Sequence, residues 1–206
     1  MLGKIIDLTV LALLLVSQGK CFLTTKVGLI LMSLIAVRGV NIVKRNEWSK
    51  RPLPTNVQKL QVPVSRVIIA HTDSGQCFSL QSCKENVQSI QDYHVNEMSF
   101  SDIGYNFLVG GDGTIFEGRG WATVGAHTLG YNKNSICVAF IGNFNTMTPT
   151  LPQRKAAELL LEGGVTDKLL TRDYRLFGHR QLISTDSPGD VLYSLIKKWP
   201  HWSNSY

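Results

Sequence analysis

Apolar and polar positions alternate between two periods along this chain of 206 residues. Residues 67–70, Val-Ile-Ile-Ala, form a short β-branched run of the kind a buried strand carries. Residues 83–98 place Val87, Ile90, His94 and Met98 at helical spacing, which predicts a helix with one face on the core. Residues 105–109 and 114–117 flank Gly110-Gly111-Asp112-Gly113, and two strand-like runs around such a turn predict a β-hairpin. Residues 136–141 are apolar without a break and predict a central strand. A second helix is expected over 152–163, with Pro152 in its first turn and Gly163-Gly164 ending it. A short strand is expected at 175–178. A last helix is expected over 188–199, with Val191, Leu195 and Trp199 on one stripe and Pro200 stopping it. Strands alternating with helices predict a single α/β domain, a central mixed β-sheet with helices packed on it.

The N-terminus departs from this pattern. It holds two apolar pieces, 5–16 and 27–37, each too short to span a bilayer, with Lys20 and Lys26 between them. The second piece reads as a signal-peptide core, with cleavage expected near Gly39. Residues 1–39 are therefore assigned to a signal peptide and 40–206 to one secreted, extracellular domain. An uncleaved anchor formed by both pieces is the alternative. The formal net charge of +6 overstates the domain, because the leader takes Lys4, Lys20, Lys26 and Arg38 with only Asp7. No basic cluster interleaved with aromatics marks a nucleic-acid partner, and no membrane contact is expected after cleavage. The 44% apolar and 17% charged fractions exclude a disordered chain. Cys77 and Cys83 are six apart and can bridge in an oxidising compartment, two buried thiols being the alternative. Cys137 sits in an apolar run and reads as a small buried hydrophobe.

Three segments carry the candidate chemistry: Val67-Ile68-Ile69-Ala70-His71-Thr72, Asp102-Ile103-Gly104-Tyr105, and Gly178-His179-Arg180-Gln181 with Thr185-Asp186-Ser187-Pro188-Gly189. With Gly111-Asp112-Gly113-Thr114, Glu117-Gly118-Arg119-Gly120-Trp121, Gly125-Ala126-His127-Thr128 and the tail Trp199-Pro200-His201-Trp202, their order resembles the peptidoglycan recognition proteins, above all the short secreted insect-type members. That family is related in fold to the zinc N-acetylmuramoyl-L-alanine amidases of the phage lysozyme type. The resemblance covers about residues 41–202.

In the amidases of this family zinc is held by His, His and Cys. The matching positions here are Ala70, His179 and Ser187, so the resemblance implies a degenerate site with no metal and no cofactor. A catalytic zinc takes about three protein ligands and one open position, and alanine offers no donor. Tyr105 and Thr185 match positions that assist catalysis in the amidases. What the resemblance leaves is a groove for bacterial peptidoglycan. Its candidate ligand-binding residues are His71, Thr72, Tyr105, Arg119, Trp121, Thr123, His127, Asn143, His179 and Thr185. The bland alternatives are core packing for Trp121, an ion pair with Glu117 for Arg119, and a surface turn for His127. Ser187 reads as a helix N-cap ahead of Pro188. A competing reading makes Ser187 the nucleophile of a metal-free peptidase acting on the stem peptide, with His179 or His71 as base. The family further implies innate immune signalling of Toll type, with a glucan-binding-type recognition protein and an extracellular serine protease precursor as partners.

Overall fold

The computed structural model describes residues 41–206, so the expected leader and its cleavage point lie outside the described residues. The elements run β1 (Ile42–Val43), α1 (Arg45–Trp48), β2 (Val64–His71), α2 (Leu80–Asn96), β3 (Phe107–Val109), β4 (Ile115–Glu117), β5 (Ile136–Phe140), α3 (Leu151–Thr166), β6 (Leu170–Gly178) and α4 (Asp190–Ile196). Single 3₁₀ turns occupy Asn132–Asn134 and His179–Gln181. One six-stranded sheet has the order β1-β4-β3-β5-β2-β6. Only the β3–β4 hairpin is antiparallel, so the sheet is mixed, as the α/β pattern predicts. Among the described residues no helix is long and apolar enough to cross a membrane.

Alternation along each strand divides the core into two layers. On one face, Val67 and Ile69 of β2, Phe107 and Val109 of β3, and Ile136, Val138 and Phe140 of β5 meet Ala156, Ala157, Leu160 and Leu161 of α3 and Leu192 and Ile196 of α4. On the other face, Ala70, Leu108, Cys137, Ala139 and Ile141 meet Trp48 and the Cys83 and Val87 face of α2. With helices on both faces, β5 is apolar at every position, which is why its run is unbroken.

Several boundaries differ from the sequence expectation. Helix α2 starts at Leu80, where the Ser79 hydroxyl accepts the Ser82 N–H at 3.3 Å, and it ends before Met98, which is exposed. Helix α3 continues through Gly163-Gly164. Gly164 marks a close approach instead: a Cβ there would lie 2.6 Å from the Trp121 ring. Strand β6 begins at Leu170, five residues earlier than expected. Its polar stretch Thr171, Arg172 and Asp173 falls in a bulge of the ladder, between the pairs Val64–Leu170 and Arg66–Arg175, which an edge strand tolerates. Helix α4 begins at Asp190 behind Gly189, whose φ of +87° favours glycine, and it ends at Ile196, short of Trp199. Ser187 is therefore not its cap.

Candidate functional site

The parallel strands β2, β5 and β6 end together, and the loops that follow them carry most of the candidate chemistry. A parallel sheet gathers loop residues at its carboxyl edge, the usual place for a ligand in such folds. Ile69 and Gly178 are register partners on adjacent strands, so the residues that follow them, Ala70 and His179, lie side by side. The Ser187 hydroxyl accepts the His71 backbone N–H at 3.1 Å, and the Arg180 N–H donates to the Ser187 carbonyl at 2.8 Å. The three positions that the resemblance equates with zinc ligands are thus drawn to one corner.

The donors at that corner do not fit a zinc ion. Ala70 is fully buried and ends in a methyl group. The Ser187 oxygen is held by a backbone N–H. His179 Nε2–H donates to the His127 carbonyl at 3.0 Å, which leaves Nδ1 buried and without a partner. Among the described residues no three His, Cys, Asp or Glu side chains converge as a metal would require. The same geometry argues against a serine nucleophile. Among the described residues no imidazole is hydrogen-bonded to the Ser187 hydroxyl, and Ser187 is 6% exposed.

Four imidazoles line this region, and all are held neutral. His71 Nδ1 accepts the Phe144 N–H at 3.2 Å, and burial lowers its pKa against the opposing pull of Asp73. His94, on the inner face of α2, accepts the Gly104 N–H on Nδ1 at 3.0 Å and packs edge-on to Tyr105, ring centroids 5.3 Å apart. Burial, helped by Arg119, pushes its pKa down to about 4. His127 Nδ1 lies 2.9 Å from the Thr128 hydroxyl, and burial first, then His179 and Arg119, lowers its pKa to about 3. His179 is lowered chiefly by burial. Burial raises the Tyr105 phenol, which stays protonated. Such a lining offers neutral donors and acceptors beside aromatic faces, which suits a polar, uncharged ligand surface better than a metal or a phosphate.

Other candidates sit on the rim. Thr72 accepts the Gly142 N–H at 3.0 Å and shares a hydrogen bond with Ser74 at 2.8 Å. Asn143 donates to the Asp73 carboxylate at 2.5 Å. The Thr185 hydroxyl accepts the Ser187 N–H at 3.2 Å. The Cys77–Cys83 disulfide is formed, with its Cα atoms 5.0 Å apart, and ties the loop after His71 to the first turn of α2.

Three candidates belong elsewhere. Trp121 packs on the opposite face of the sheet, 4.8 Å from the Phe107 ring and against Gly164, so its large apolar ring serves the core. Arg119 does not pair with Glu117. Its guanidinium donates to the carbonyls of Ile103 at 2.8 Å, Val124 at 2.9 Å and Asp102 at 3.5 Å, so it staples the Tyr105 segment to the His127 segment. Thr123 makes a backbone bridge with Lys59 and borders a cavity of about 190 Å³ lined by Arg45, Leu53, Pro54 and Val57. Sequence spacing puts His94 on the core stripe of α2 and not among the ligand contacts. Being the one titratable member of that stripe was the available signal. Asn106 was also missed. It donates to the carbonyls of Gly120 at 2.8 Å and Thr123 at 3.0 Å and accepts the Cys137 N–H at 3.0 Å, a second staple of the same loops.

Residues 60–190 match the family model described as N-acetylmuramoyl-L-alanine amidase. Peptidoglycan-recognition protein SD of Drosophila melanogaster is 41% identical over 182 residues, 87% of this chain and 98% of that protein. Among solved structures, the chain resembles a component of the tracheal cytotoxin complex with the ectodomains of peptidoglycan recognition proteins LCa and LCx. The TM-score is 0.78 and the identity 51%, over 79% of this chain and 98% of that one. It also resembles peptidoglycan recognition protein LE in complex with tracheal cytotoxin, a monomeric diaminopimelic acid-type peptidoglycan, at TM-score 0.78 and 42% identity, over 79% and 96%.

Proposed function

The chain belongs to the peptidoglycan recognition protein family, and from that membership we propose that it is a secreted receptor that binds bacterial peptidoglycan without hydrolysing it. The observation that carries this reading is the corner where Ala70, His179 and Ser187 meet. By resemblance this corner stands where the amidases hold zinc, and it offers one imidazole where about three ligands are needed. The neutral histidines and Tyr105 around it remain able to hydrogen-bond amide and hydroxyl groups of a glycopeptide. His71, Thr72, Tyr105, His127, Asn143, His179 and Thr185 are the proposed contacts, with His94 added from the structure. Arg119 and Asn106 hold the loops that present them. Relatives LE, LCa and LCx are solved with a peptidoglycan fragment, which supports the ligand class.

Binding in an extracellular fluid fits a signalling output of Toll type through a protease precursor and a co-receptor, the role carried over by resemblance to the short insect members. Co-sedimentation with insoluble cell wall tests the reading. Retention is expected on diaminopimelate-type wall, lysine-type wall or both, with no stem peptide released into the supernatant. A protein that stays in solution with both walls refutes it.

A further inference from the structure

Arg66 of β2 and Arg175 of β6 are register partners on adjacent strands. Like charges placed directly opposite one another repel and are normally relieved by a counter-charge. Here neither guanidinium has a carboxylate within 4.0 Å among the described residues. Both flank one aromatic ring: Arg66 lies 4.4 Å and Arg175 5.9 Å from the centroid of Tyr206. Tyr131 meets the same ring edge-on at 4.6 Å, and Phe177 lies 5.6 Å away. Arg66 Nε is shielded from solvent and has no hydrogen-bond partner. A buried, unpartnered guanidinium nitrogen calls for an acceptor.

The position matters as much as the charge. Side chains at 66, 68 and 70 share one face of β2, and those at 175 and 177 share the same face of β6, which continues to His179. Ala70 lies four strand steps beyond Arg66, roughly 13 Å at the usual rise per residue. The arginine pair therefore lies on the sheet face that leads to the proposed peptidoglycan contacts. The two forks can each take two oxygens of a tetrahedral anion, which is the arrangement arginine favours for phosphate. Tyr206 remains 51% exposed beside them and, with the half-buried Tyr131, leaves apolar ring surface that a sugar or polyol can cover.

We propose that Arg66 and Arg175, with Tyr131 and Tyr206, form a second site that binds a phosphate ester borne on a wall glycopolymer. The site would add to peptidoglycan binding when phosphate and glycopeptide belong to one polymer, because the second contact is then intramolecular. In that sense it rests on the proposed function, although phosphate binding itself does not.

The test compares three probes: insoluble wall that retains its covalently attached polyol-phosphate polymer, the same wall stripped of it by hydrofluoric acid, and a soluble glycerol-phosphate oligomer. The wild-type protein is expected to bind phosphate-bearing wall about tenfold more tightly than stripped wall, an advantage that falls with added salt. Arg66→Gln and Arg175→Gln should each remove most of that advantage and leave binding to stripped wall unchanged. Lys50→Gln, the same charge change at an exposed position on the N-terminal segment, should keep it. Competition by inorganic phosphate at the same potency as the oligomer assigns the site to free phosphate; competition by the oligomer alone assigns it to the ester. Equal binding of wild type to the two walls overturns the proposal, as does an equal loss in all three variants. If stripped wall is not bound at all, the peptidoglycan reading fails, and titration with the oligomer still decides the phosphate site.

Discussion

Mild acid should destabilise this protein through its buried histidines, and His94 sets the scale. Its imidazole is 8% exposed and accepts the Gly104 N–H on Nδ1, and burial pushes its pKa down to about 4 from the 6.5 of a solvated imidazole. A lowered folded pKa means the unfolded chain takes up the proton first. The stabilisation from a neutral His94 is thus complete above pH 6.5 and is lost as the pH falls from there toward 4. At pH 5 the difference amounts to about 2 kcal/mol, and below pH 4 to about 3 kcal/mol. His127, lowered to about 3, adds a similar loss at pH 5. Together they would remove about 4 kcal/mol from a domain whose total is of order 5–15 kcal/mol. Urea unfolding at pH 7.5, 6.5, 5.5 and 5.0, at constant ionic strength, measures this directly. The midpoint should hold steady to pH 6.5 and then drop, and His94→Gln should drop less steeply than wild type. A midpoint unchanged between pH 7 and pH 5, or a His94 ring resonance titrating near 6.5, would refute the reasoning.

Reduction of Cys77–Cys83 reopens a seven-residue loop and should cost about 2 kcal/mol, seen as a lower melting temperature together with weaker wall binding; an unchanged melt would show the bridge to be idle. Trp121→Ala should destabilise by about 3 kcal/mol through the cavity left beside Phe107, while the folded fraction binds muropeptide as wild type does; a selective loss of affinity would return Trp121 to the groove. Tyr105→Phe should weaken muropeptide binding about threefold to tenfold by calorimetry without shifting the melt; equal affinity would remove its hydroxyl from the contacts. Ala70→His with Ser187→Cys should bind one zinc per protein by elemental analysis, at some cost in stability because Ala70 is fully buried. A folded double variant that binds none would show that positions 70, 179 and 187 do not converge.

The parts of the fold that were legible are those where one local pattern has one solution. An unbroken apolar run such as Ile136–Phe140 fits a strand covered on both faces. A glycine-rich turn between two short apolar runs fits the hairpin Phe107–Val109 with Ile115–Glu117. Misreadings arose where a residue answers to a distant partner. Gly163-Gly164 signals a helix end locally, but Trp121, more than 40 residues away in sequence, explains the glycine. Thr171, Arg172 and Asp173 look like a loop until the fold places them in an irregular stretch of β6, between the β2 pairings Val64–Leu170 and Arg66–Arg175. Ser187 has the composition of a cap, but its hydroxyl serves the backbone of His71 at the end of β2. Arg119 reads as a ligand contact or an ion pair, and only the tertiary fold shows three carbonyls converging on its fork.

The central claim is recognition without cleavage, and the mass of a soluble muropeptide recovered from its complex with the protein tests it most directly. The protein is incubated with the muropeptide, the complex is isolated by gel filtration, and the ligand is released and weighed. The muropeptide is expected to co-elute with the protein and to return with its mass unchanged after prolonged incubation, with or without added zinc. Recovery of free stem peptide and lactyl-bearing sugar, their masses together exceeding the intact ligand by one water, would contradict it, and so would a muropeptide that never co-elutes.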